Sequence, residues 1–198
     1  MRRADPRSAF VASFDNKLAR ELTEIVLTNR HVTIRELRAS DARSLFELLT
    51  TDDVTRLMSA PPSTFEGFER FISWTRRERT SGSSLTLGIV PRGEAGAVGL
   101  IQIRARDPQW DVAEWGFALG SPYWGSGLFM AAATTTVAFT FGVLGVNRLE
   151  ARSAVSNGRG IGALRKLGAL EEGILRQSLP LGSTCLDQSL WTLLEPAA

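Results

Sequence analysis

The sequence predicts a mixed α/β domain of the α+β type, built on a mostly antiparallel sheet of seven strands. Three observations carry this. The strand-like runs Leu85–Val90, Ala97–Ile103 and Val112–Leu119 are separated by turn chemistry, Pro91-Arg-Gly-Glu-Ala-Gly and Arg106-Asp-Pro-Gln, which reads as an antiparallel meander. An uncharged helical stretch then lies between the runs Val112–Leu119 and Arg148–Val155, and such a crossover implies a parallel pair or a local split in the sheet. Ahead of the meander, apolar residues recur at helical spacing in two amphipathic segments.

Phe10, Val11, Phe14, Leu18 and Leu22 recur near helical spacing, so residues 1–24 predict an N-terminal helical arm before one domain at 25–198. Val32-Thr-Ile-Arg-Glu-Leu-Arg alternates with period two and is the first strand. Ser40-Asp-Ala-Arg then opens a helix through Leu45, Leu48 and Leu49, with Ser40 as its cap. Pro61-Pro62-Ser63 breaks the chain before a second helix, whose Phe65, Phe68, Phe71, Ile72 and Trp74 face the core and whose Glu69, Arg70, Arg76 and Arg77 face solvent. After the meander, Gly120-Ser-Pro-Tyr-Trp-Gly-Ser-Gly leads into the uncharged helix. Asn157–Leu167 is a shorter helix ended by Gly168. Glu172–Leu179 and Cys185–Leu194 are the last two strands, joined through Pro180-Leu-Gly-Ser.

Composition narrows the chemistry. With 198 residues, 43% hydrophobic and 22% charged, the chain is too apolar for a disordered one and has the length of one domain plus an appendage. A net charge of +2 is no nucleic-acid signature, so specific DNA binding is not expected. One cysteine, Cys185, forms no intrachain disulfide and reads as a small core filler; one histidine, His31, leaves no ligand set for zinc, so no metal is expected. Residues 1–16 lack a secretory core, which makes the cytoplasm the expected address. The stretch Gly127–Val146 is long enough to test as a membrane span, but Gly127, Gly142, Gly145 and Thr134-Thr-Thr dilute it, and a helix buried in an α/β layer is expected instead.

The chemistry sits at Trp124-Gly-Ser-Gly-Leu-Phe. Two glycines at a strand-to-helix corner let the backbone approach a ligand closely, and successive free N–H groups at the positive end of a helix suit phosphate oxygens. The segment lacks the Lys-Ser/Thr of a P-loop and the spacing of a dinucleotide fingerprint. The order Pro122-Tyr-Trp-Gly-Ser-Gly, then Phe139-Thr-Phe-Gly-Val-Leu-Gly-Val-Asn-Arg-Leu-Glu-Ala, then Asn157, then Leu164-Arg-Lys-Leu-Gly-Ala-Leu-Glu-Glu-Gly resembles the GNAT N-acetyltransferases. Within them it is most similar to the RimJ/RimL-like ribosomal-protein N-terminal acetyltransferases, over about Leu27 to Leu194.

The resemblance implies helices on both faces of a sheet whose fourth and fifth strands splay, and transfer of an acetyl group from acetyl-CoA to a primary amine by direct attack. It places the coenzyme pyrophosphate on the loop at Trp124, Gly125, Ser126, Gly127 and Leu128. The pantetheine arm falls on main-chain groups of Phe117, Ala118 and Leu119, with Asn157 beside it. A strand N–H near Phe117 or Ala118 becomes the donor to the thioester oxygen. The acceptor is a peptide N-terminus or a small-molecule amine, with a ribosomal protein among the candidates; the chain is expected as a monomer or homodimer. Glu114 shares a face with Gly116 and Ala118, opposite Trp115, Phe117 and Leu119, and is the candidate general base; its other reading is a solvated strand-end charge. Phe65, Trp74 and Trp110 are the aromatic candidates for the acceptor cleft.

Two departures from the family pattern matter. The position that often holds a tyrosine acid is Leu164, and the alternative serine is Gly160. They motivate a second reading, an acyl-CoA-binding sensor or partner module with little turnover. A third, a ribosome-associated role, rests on Arg2, Arg3 and Arg7 of the arm.

Overall fold

A computed structural model describes residues 24–56 and 58–195, so the predicted helical arm lies outside the described residues. Eight strands form one open sheet in the order β1-β2-β3-β4-β5-β6-β8-β7: β1 Val26–Thr28, β2 Val32–Glu36, β3 Ser84–Pro91, β4 Gly99–Ala105, β5 Val112–Leu119, β6 Arg148–Ala154, β7 Leu170–Leu181 and β8 Thr184–Leu194. All neighbours are antiparallel except β5 and β6. The strand absent from the sequence reading is β1, three residues too short to display alternation. It returns to β2 through Asn29, whose side-chain oxygen accepts from the N–H groups of His31 and Val32.

Helices cover both faces. On one side α1 (Asp41–Leu49), α2 (Asp52–Thr55) and α3 (Phe65–Ser81) bury Leu45, Leu49, Val54, Phe68 and Ile72 against Val90, Ala97 and Ala118. On the other, α4 (Leu128–Gly142) and α5 (Gly158–Lys166) cover Leu85, Leu87, Ile101, Trp115, Leu149 and Trp191. The uncharged stretch is thus a helix of this layer, and among the described residues no helix is long and apolar enough to cross a membrane. The central strand β3, sandwiched between the layers, is buried from Ser84 to Val90.

The predicted cap of α1 is replaced by something stronger. Ser40 makes no side-chain cap bond; the wholly buried Asp41 carboxylate instead takes Arg35 in a bidentate pair at 2.7 and 2.9 Å. It also accepts from the Arg38 N–H at 2.7 Å and the Ala97 N–H at 3.0 Å, tying β2, α1 and the entry to β4 together. Burial opposes its charged form, but the Arg35 pair and the two backbone donors outweigh that and hold the carboxyl below its ordinary value.

Two further expectations are corrected. Cys185 is not a core filler: it lies exposed on the β7–β8 hairpin, its thiol donating to the Gln177 carbonyl. Trp110 is not in an acceptor cleft: it is 2% exposed, with its indole N–H donating to the Gly82 carbonyl at 3.0 Å. It pins the β4–β5 turn to the end of α3, and the chain accepts a positive φ of 63° to put it there.

Replacing Asp41 by Asn leaves Arg35 buried without its counter-charge, and denaturant unfolding should report a loss of about 3–5 kcal/mol at neutral pH. Because the folded carboxyl sits below its unfolded value, its stabilisation is present above about pH 4 and is lost as pH falls toward the folded value. The difference between wild type and Asp41→Asn should therefore shrink below pH 4.

Candidate active site

Where β5 leaves β6, the sheet opens. The two strands pair only at Val112–Arg148, Ala113–Leu149 and Glu114–Glu150; beyond these β6 continues along β8 alone while β5 runs on beside β4. Aromatic side chains hold β5 to the helix layer: the rings of Trp115 and Phe117 lie 5.3 Å apart, and Phe117 lies 4.3 Å from Phe129 at the start of α4. Hydrogen bonds from Gly120 N–H to Val98 and from Arg106 N–H to Val112 fix which β5 residues face β4. By alternation the main chain of Ala118 turns toward β4 and that of Phe117 and Leu119 toward the gap. The expectation of a main-chain donor at Ala118 is thereby corrected, and Phe117 is the residue whose N–H faces the opening.

A cavity of about 620 Å³ occupies this opening. Phe117, Ala118 and Leu119 form one wall and Asn157, Gly158 and Gly160 another. Trp124, Gly125 and Gly127 form the end toward α4. Trp124 donates its indole N–H to the Leu119 carbonyl at 2.8 Å, closing the last acceptor of the strand, and its ring packs against both cores. The loop after it turns twice through the left-handed region, at Gly125 (φ 76°) and Gly127 (φ 84°), with open space beside both α-carbons. A side chain there would be strained. This path leaves the N–H groups of Gly125, Ser126 and Gly127 without a protein acceptor among the described residues. Leu128 N–H turns to Ser126 Oγ at 3.2 Å.

Asn157 has two jobs. Its side-chain oxygen caps α5, accepting from the Gly160 N–H at 2.9 Å, while the residue also lines the cavity. A Cβ on Gly160 would stand 2.7 Å from Asn157 Nδ2 and 3.1 Å from Ser153 Oγ, so this site has no room for a serine. Leu164 is buried in the core beneath α5.

Glu114 lies outside the cavity wall, on the sheet face shared with Gly116 and Ala118, about 7 Å along the strand from Gly116. Its Oε2 is approached by Arg106 at 3.3 Å and Arg152 at 3.7 Å, and no hydrogen bond from a described residue reaches it. Gly116 is exposed with nothing near its α-carbon, so that face is uncovered beside the gap. Phe65 and Trp74 do not line the cavity. Phe65 packs in the α1–α3 layer beneath the Arg43 guanidinium, 5.3 Å away, and Trp74 stacks on Phe71 at 5.9 Å.

Sequence reading missed several wall residues. Asp53, Arg56 and Met58 come from the turn of α2, which has no periodicity to announce it. Arg159, two residues beyond Asn157, holds its guanidinium 4.0 Å over the Trp124 ring at the cavity rim. That spacing was the available signal.

Residues 31–170 match the family model described as an acetyltransferase (GNAT) domain. The chain belongs to the GNAT acetyltransferase family. Relatives of this GNAT chain include YdaF of Bacillus subtilis (strain 168), provisionally named a ribosomal N-acetyltransferase, 28% identical over 173 residues that cover 84% of this chain and 93% of YdaF. The uncharacterized N-acetyltransferase p20 of Bacillus licheniformis is 26% identical, with coverages of 87% and 97%. The fold matches Mycobacterium smegmatis RimJ, solved in complex with CoA-disulfide, at a TM-score of 0.77 and 22% identity, covering 85% of this chain and 86% of that one. The chain is thus an N-acetyltransferase by family.

Removing the α5 cap should be measurable. Asn157→Ala is expected to cost about 0.5–2 kcal/mol in denaturant unfolding, the usual range for a lost cap. Asn157→Asp, which keeps the acceptor oxygen, should recover most of it.

Proposed function

We propose that this GNAT chain transfers the acetyl group of acetyl-CoA to a primary amine by direct attack, on the uncovered sheet face beside the gap. The observation that carries the reading is the run of N–H groups at Gly125, Ser126 and Gly127, without an acceptor among the described residues, in the loop that opens α4 beside two parted strands. A diphosphate supplies oxygens for such donors. An amide-bearing pantetheine arm in the gap finds the Phe117 main chain and the Leu119 N–H on one side and Asn157 on the other. Acetyl-CoA brings the activated acyl group as a thioester; everything else is asked of the chain itself.

The chain has three tasks. It holds amine and thioester together, which is worth more than any single contact. It offers the Phe117 N–H to the thioester oxygen as charge grows there, an effect of about 2.7–4 kcal/mol in comparable oxyanion holes. It also removes a proton from the amine, since an alkyl ammonium with an ordinary pKa near 10.4 has no lone pair to attack with. Glu114 takes this proton, directly or through one water, because its carboxylate stands two residues from the exposed Gly116 on the uncovered face, whereas Glu150 of the same row is hydrogen-bonded to Arg148. The leaving thiol, near its reference pKa of about 8.5, departs without a dedicated side-chain acid, which accommodates the buried Leu164 and the crowded Gly160.

Release of free thiol from acetyl-CoA, followed across a panel of small amines and N-terminal peptides, tests the reading. The expected result is turnover with at least one amine and a kcat lowered about 100-fold or more in Glu114→Gln. Gly127→Val should raise the KM for acetyl-CoA about tenfold through the left-handed backbone penalty. Protection against heat by acetyl-CoA with no thiol release across the whole panel would contradict transfer and favour the acyl-CoA-binding module.

A further inference from the structure

The charges around Glu114 do not balance, and the surplus lies where the acceptor amine must approach. Arg104 on β4, Glu114 on β5 and Glu150 on β6 stand in one register row, so their side chains share a face. Arg152, two residues along β6 from Glu150, is on the same face just past the last β5–β6 pair, overlooking the gap. Arg106 reaches this group from the end of β4.

The cations of the face fall into two classes. Arg148 is fully engaged: its guanidinium takes both oxygens of Glu172 at 2.9 Å and Glu150 at 2.7 Å, which accounts for two carboxylates. Among the described residues Arg106 and Arg152 have Glu114 as their ion-pair partner, and Arg104 stands in its register row. Arg106 and Arg152 meet its Oε2 only at 3.3 and 3.7 Å, and among the described residues Arg104 has no ion-pair partner and none of the three guanidiniums donates a hydrogen bond. Two planar forks of N–H donors thus approach one partly exposed carboxylate on an open face, and a third, Arg104, shares its register row. Guanidinium pairs of this kind recognise carboxylate and phosphate oxygens, often two at a time.

We infer that the acceptor amine carries an anionic group, a carboxylate or a phosphate, within a few bonds of its nitrogen. Arg152 and Arg104 bind that anion while Glu114 faces the amine. This rests on the acetyl-transfer reading above and narrows its acceptor. An α-amino acid or a phosphorylated amino alcohol satisfies the site; an amine whose neighbouring group is neutral leaves the forks unused. No covalent step is added: the anion is held, and the new bond forms at the amine nitrogen as the thioester C–S bond breaks.

The test uses matched acceptors with wild-type protein: an amino acid against the amine left by removing its carboxylate, and a phosphorylated amino alcohol against the free alcohol. Thiol release should show kcat/KM higher by about tenfold or more for the anionic member of each pair. Arg152→Gln and, separately, Arg104→Gln should raise the KM for the anionic acceptor about tenfold and shrink the preference for the anionic over the neutral partner, leaving the KM for acetyl-CoA nearly unchanged. Heat protection by acetyl-CoA in both variants reports that they fold. Equal kcat/KM within each pair, with KM unmoved by either substitution, would overturn the inference and leave acetyl transfer standing. Thiol release with no amine at all would overturn the transfer reading and this inference with it.

Discussion

A strand that loses its neighbour inside a folded domain exposes N–H and C=O groups that must find other partners, and the site depends on that constraint. Here β5 and β6 share only the pairs from Val112–Arg148 to Glu114–Glu150. The remainder of β6 is satisfied by β8 and the far edge of β5 by β4, which leaves the gap-facing groups of Phe117 and Leu119. One of these, the Leu119 carbonyl, is taken by the Trp124 indole; the others look into the cavity. The same chain segment then turns through Gly125 and Gly127, and the three amides of this loop before α4 meet no acceptor among the described residues. Parted strands and open loop are therefore one device, spaced by the few residues from Leu119 to Gly125.

What keeps the device open is packing on its two sides. Trp115, Phe117 and Phe129 form a continuous aromatic contact from β5 into α4, so β5 cannot swing toward β6 without losing it. On the opposite face, Asp41 locks β2 and the entry to β4 to α1, and the α1–α3 layer stops short of Gly116. The result is a cavity reached from a sheet face that carries charge instead of a helix. Glu114, Arg106 and Arg152 occupy that face, with Arg104 in the same row, and their imbalance gives the acceptor side a chemical preference.

Features set by short-range chemistry were legible in the sequence. The glycine corner, the alternation that separates Glu114 from Phe117 and the terminator at Gly168 each follow from the backbone needs of a few adjacent residues. The order of motifs from Pro122 to Gly173 carried the family likeness, and with it the splayed strands. What depended on distant partners was not legible. Trp110 was a candidate for the acceptor cleft, yet its indole N–H goes to Gly82, and Cys185 read as a core filler, yet the β7–β8 hairpin carries it outward. Strand β1 is recruited by β2, not by any pattern of its own, and Asp53 and Arg56 reach the cavity because Val54 of α2 is buried in the same core cluster as Ala118. The pairing of Arg106 and Arg152 with Glu114 joins three strands, and no local spacing encodes it.

The central claim is that backbone donors of the loop before α4 grip a diphosphate while β5 and β6 stand apart. Amide-resolved NMR of the isotope-labelled chain, titrated with coenzyme A, addresses it residue by residue. The N–H resonances of Gly125, Ser126 and Gly127 should move together and saturate with one affinity, accompanied by Phe117, while those of the β7–β8 hairpin stay fixed. Saturable shifts elsewhere with these four amides unmoved would contradict the account.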